Sequence, residues 1–93
     1  MNITLKDLIK EGEEVKSRNM KNSSMGGYYI SGEEYEMWIA KCIIFLENNE
    51  DEYSSTLIGK FIKASEKAVG NGEEHYNTMM GILKAFDQME VEA

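Results

Sequence analysis

Residues Tyr35 to Leu46, YEMWIAKCIIFL, decide the fold. Tyr35, Trp38, Ile39, Cys42, Phe45 and Leu46 recur at steps of three and four, which is one face of a helix with a 3.6-residue period. Met37, Ile43 and Ile44 widen that face, and only Glu36 and Lys41 interrupt it, so the helix is expected to be covered on more than one side. Ser31 is placed to cap its N-terminus, with Glu34 completing a capping box. Glu33, Glu34 and Glu36 suit the positive end of the helix dipole. A buried strand through Ile43–Leu46 is the competing reading, but the periodicity outruns a typical strand.

Outward from this helix, the other segments carry their own stripes. Toward the N-terminus, Thr4 caps a first helix with Asp7 at its third position, and Leu5, Leu8, Ile9 and Val15 form its apolar line. Gly12 falls on that line, which points to close approach of another helix, or else to an early helix end near Lys10. Toward the C-terminus, Leu57, Ile58, Phe61, Ile62, Ser65, Ala68 and Val69 trace a third stripe, with Gly59 expected to allow close packing. Gly70-Asn71-Gly72 ends that helix, and Asn71 with Glu74 is expected to cap a fourth, whose stripe is Tyr76, Met79, Met80, Leu83 and Phe86. The expectation is an all-α, compact single-domain bundle of four helices, near 4–17, 32–48, 53–69 and 72–89. One long loop, 17–31, rich in Asn, Ser and Gly, joins the first two.

Composition agrees. Ninety-three residues suit one domain, and the chain has no proline and 42% hydrophobic residues. Ten basic and 17 acidic side chains give a net charge of −7, which disfavours nucleic acid and anionic membrane as partners and leaves a basic protein open. The imbalance is local: residues 1–21 carry five basic and four acidic groups, net +1, and residues 22–93 carry five and thirteen, net −8. A single cysteine, no apolar leader and no spanning run fit a cytoplasmic setting.

Chemistry is sparse. His75 stands alone beside Glu73 and Glu74, no ligand spacing links it to Cys42, and no cofactor or metal is expected. Cys42 on the apolar face reads as a small buried hydrophobe. The glycine pairs lack the Lys-Ser/Thr that a phosphate loop needs. The seven methionines read first as core filler and second as an adaptable surface. The surfaces singled out for a protein partner, another copy of the chain included, are Tyr28 and Tyr29 in the loop and Asp87 and Glu90 at the acidic end of the fourth helix. Two tyrosines in a loop either anchor it to the core or present a contact. An acidic helix end opposes the dipole, so it is expected to fray or to pair with Lys6, Lys10, Arg18 or a partner. A different class of function, sequestering a small nucleotide at a subunit interface, would draw on Lys6, Lys10, Arg18 and Lys21 for the phosphates. A third reading, an acidic imitation of nucleic acid, rests on the runs at 47–52 and 87–92.

Three stretches, Leu8-Ile-Lys-Glu-Gly-Glu-Glu14, Tyr29-Ile-Ser-Gly-Glu-Glu-Tyr-Glu-Met-Trp38 and Gly81-Ile-Leu-Lys-Ala85, give the sequence a familiar pattern. It resembles a small helical module found at the N-terminus of many bacterial proteins, some linked to antiviral defence and carrying an effector domain downstream. The resemblance implies recognition or assembly and supplies no catalytic residues. Nothing follows the module in this sequence, and a free-standing copy is expected to compete with a larger protein, as a phage-encoded inhibitor would. The leading expectation is therefore a non-enzymatic interaction module.

Overall fold

A computed structural model describes residues 3–90, with the side chain of Glu90 and residues 91–93 outside that description. Four helices form: α1 Leu5–Asn19, α2 Glu33–Asn48, α3 Ser55–Ser65 and α4 Glu73–Glu90. They run up and down in chain order, with α1 against α2 and α4, and α3 against α2 and α4. Among the described residues, no helix is long and apolar enough to cross a membrane.

The expected stripes supply the core. Leu5, Leu8, Val15, Tyr35, Trp38, Cys42, Leu46, Phe61, Met79 and Leu83 are all buried. Trp38 lies at the centre. Its indole donates to the carbonyl of Leu8 at 2.8 Å, and its ring forms a triangle with those of Tyr35, 6.1 Å away, and Tyr76, 5.9 Å away, which are 6.5 Å from each other. Gly12 makes this possible. A Cβ there would sit 2.6 Å from Met80 Cε and 2.7 Å from Trp38 Cε2, too close for either neighbour. The Tyr76 hydroxyl donates to the Gly12 carbonyl at 3.2 Å across the same gap. Thr4 and Asp7 form the expected capping box on α1.

Four expectations need correction. The segment 17–31 is not one loop. Helix α1 continues to Asn19, and β1 (Met20–Asn22) pairs antiparallel with β2 (Tyr28–Ile30). The second edge of β2 is used too, because Ile30 exchanges backbone hydrogen bonds with Gly70 and Asn71 at 2.8 and 2.9 Å. Second, Ser31 does not cap α2. Its amide donates to the Asn19 carbonyl, its own oxygens accept from Lys21, and α2 starts after Gly32, whose φ of 129° suits glycine alone. Third, α3 stops at Ser65 and turns through residues 66–70, which delivers Gly70 and Asn71 to β2. The Asn71 amide accordingly bonds back to the Lys67 carbonyl. Fourth, Gly59 is exposed with open space around it. Helix α2 is covered on more than one side as expected, by α1 and α3, and leaves Met37 (53%) and Ile44 (59%) in solvent.

Candidate functional site

The residue types able to do chemistry are dispersed. Cys42 is fully buried, and that burial pushes its thiol far above the range of a useful nucleophile. His75 is half-buried on α4, and among the described residues no group of His, Cys, Asp and Glu is arranged to hold a metal ion. Glu34 and Glu73, each from an adjacent acidic pair, are both held by cations.

The four basic residues singled out for phosphate do not converge. Lys6 pairs with Asp87 at 2.9 Å at one end of α1. Arg18 makes a two-pronged contact with Glu34, Nη2 at 2.7 Å and Nε at 3.2 Å, and lies about 18 Å further along the helix from Lys6. That contact, with an Asn19 hydrogen bond, holds the Glu34 carboxyl below its usual range. Lys21 donates to both oxygens of Ser31. Lys10 and Arg18 share a shallow recess with Glu13, Glu14 and Ser17, where two acids offset the two cations.

The two tyrosines differ. Tyr28 donates its hydroxyl to Glu73 Oε1 at 2.5 Å, and Lys16 contacts Glu73 Oε2 at 2.6 Å while lying 5.1 Å from the Tyr76 ring centre. Lys16 and Tyr28 together lower the Glu73 carboxyl, and the same bond raises the Tyr28 phenol. Tyr28 therefore ties the hairpin to the start of α4. Tyr29, half-buried, sits opposite Lys21 in the ladder.

Asp87 stands about 21 Å along α4 from Glu73, so the tyrosines and the acidic helix end form separate surfaces. The acidic end has a feature that sequence reasoning missed. Tyr53 stacks on Phe86 at 4.6 Å and lies 6.2 Å from Phe45, which draws the ends of α2 and α4 together. Beside these rings lies an open groove of about 560 Å³ lined by Glu52, Tyr53, Ser54, Leu57, Ala85, Phe86 and Met89. Met89 is 70% exposed at its wall. Neither α2 nor α4 has a basic residue in its last turn, and Glu47, Glu50, Asp51 and Glu52 are all exposed. The described part of the acidic run at 47–52 thus lies at the same end of the bundle as Asp87, with Glu52 lining the groove. One signal pointed to Tyr53: it precedes the Ser54 cap of α3, where a hydrophobic staple residue belongs. Glu90 and Glu92, also singled out, lie outside the described side chains.

Compared with protein-family models, curated proteins and solved structures, the chain matches none.

Proposed function

We propose that this chain is a non-enzymatic helical interaction module that docks a protein partner in the cytoplasm through the acidic end of its bundle. The observation that carries this reading is the apolar groove between Tyr53 and Met89, flanked by acidic side chains and left open to solvent. A groove of about 560 Å³ lies in the size range of ligand clefts, roughly 300–1,000 Å³. Three of the four phosphate candidates already have protein partners, which weighs against the nucleotide-sequestering alternative. The resemblance to defence-linked modules supplies the class of partner, a larger bacterial defence protein, with this chain as its inhibitor or assembly factor.

The exposed run Glu50, Asp51 and Glu52 favours one second reading, an acidic imitation of nucleic acid. Salt separates the two. The decoy depends on exposed charge and is lost at high ionic strength, whereas docking in an apolar groove persists. The test is native mass spectrometry of the protein purified gently from its host lysate, beside a Met89→Lys variant. A stoichiometric protein partner retained by the wild type and lost by the variant supports the module. A small retained mass on each subunit overturns it in favour of sequestration.

A further inference from the structure

The geometry points to a specific occupant for the groove at the acidic end: a positively charged amphipathic α-helix of a partner protein. This rests on the reading of the chain as an interaction module and specifies what that module takes.

Three observations select this occupant. The first is the lining. Tyr53 and Phe86 form an aromatic floor, Leu57 and Ala85 line the groove, and exposed Met89 supplies an adaptable wall, so the groove takes apolar anchors. The second is the backbone of the walls. The lining residues from α3 and α4 sit on helices that use their own amides and carbonyls internally. An extended peptide would find no ladder to join, whereas a helix satisfies its own backbone and offers anchors at three- and four-residue spacing. The third is charge. None of Glu47, Glu50, Asp51 and Glu52 is in a salt bridge among the described residues, and the C-terminus of α2 just before Glu50 adds a negative dipole end with no basic residue in its last turn. Lys and Arg flanking the anchors complement this rim. The same charge argues against a second copy, because a symmetric pairing would set these acids against themselves. Asp87, further round α4, is already matched by Lys6 and is not counted among the groove's acids.

The test uses a fluorescent synthetic peptide of leucine and lysine, patterned as an amphipathic helix of about four turns. Two controls accompany it, one with every leucine replaced by serine and one with every lysine replaced by glutamate. Fluorescence anisotropy measures binding, and methyl NMR of the protein locates it. The leucine–lysine peptide is expected to bind and to shift the methyls of Leu57, Ala85 and Met89, and neither control is expected to bind. The double variant Asp51→Lys, Glu52→Lys changes exposed residues and keeps the fold, and it should weaken binding by about tenfold or more. Met89→Ser should weaken it and leave its salt dependence unchanged.

Shifts confined to Met37 and Ile44 overturn the groove assignment while leaving an interaction module in place. Equal binding by the leucine-free peptide overturns it in favour of a charge-only surface. No binding by any peptide also overturns it, and the broader reading then falls only if the lysate purification yields no partner.

Discussion

Replacing Gly12 by alanine should destabilise the fold, although the same substitution at two other helical glycines should not. Alanine is favoured over glycine in a helix interior by about 1 kcal/mol. At Gly12 that gain meets a hard obstacle. The new Cβ would lie 2.6 Å from Met80 Cε and 2.7 Å from Trp38 Cε2. The Met80 tip can swing aside. The indole cannot, because it packs against both Tyr35 and Tyr76 and its own nitrogen is bonded to Leu8. Overpacking of this kind costs about 1–3 kcal/mol, and separating α1 from its neighbours weakens the Trp38–Leu8 and Tyr76–Gly12 hydrogen bonds, each contributing about 1 kcal/mol. The net expectation is a loss of about 2 kcal/mol, or about 10 °C in Tm for a domain of this size. Gly59 and Gly81 have open space where a Cβ would go, so alanine there should stabilise by up to about 1 kcal/mol. Urea unfolding of the three variants, followed by circular dichroism and Trp38 fluorescence, measures all of this. A Gly12→Ala protein as stable as the wild type, or three variants shifting in the same direction, would refute the close packing of α1 on Trp38.

Tyr35→Phe removes a buried hydroxyl that has no hydrogen-bond partner among the described residues, so thermal unfolding should show it neutral or stabilised, whereas Tyr76→Phe forfeits the bond to Gly12 and should cost about 1 kcal/mol. Asp7, Glu34 and Glu73 all titrate lower in the folded chain, held by Thr4, by Arg18 and Asn19, and by Lys16 and Tyr28. Their contribution is complete above the ordinary glutamate value of 4.5 and is lost as pH falls through the lowered folded values, so acid titration should show stability declining there. At the alkaline end burial pushes Tyr76 up to about 12 from 10.0, the unfolded chain loses its proton first, and stability should fall as pH rises across that interval. Cys42 should resist a thiol-specific reagent in the native protein and react at the rate of unfolding, and prompt labelling would contradict its burial.

The candidate surfaces were only partly legible in the sequence. Asp87 was marked as an acid needing a cation, and Lys6, one of the cations proposed for it, supplies that charge. Tyr28 was marked without its partner, because Glu73 lies 45 residues away. The groove as a whole was not legible, although the position of Tyr53 before the Ser54 cap was a signal. Leu57 read as core, Met89 carried no pattern, and Tyr53 stacks on Phe86 from another helix.

Sequence alone determined the helical character of this protein, the four apolar stripes and the Thr4–Asp7 capping box, because periodicity and capping act within a few residues of chain. It also marked Gly12 as a point of close approach. Tertiary structure decided the rest. The strands on either side of Gly26-Gly27 have three residues each, too few for an alternating pattern, and β2 holds its place through bonds to Gly70 and Asn71 far along the chain. The same bonds accompany the early end of α3, and Gly32 replaces Ser31 at the start of α2 because the serine is drawn into contacts with Asn19 and Lys21. The placing of Glu52 and Tyr53 beside Phe86 around an apolar groove follows from the antiparallel path of α3 and α4. Local propensity carries no information about which helix ends become neighbours, because that is set by how the four stripes bury one another.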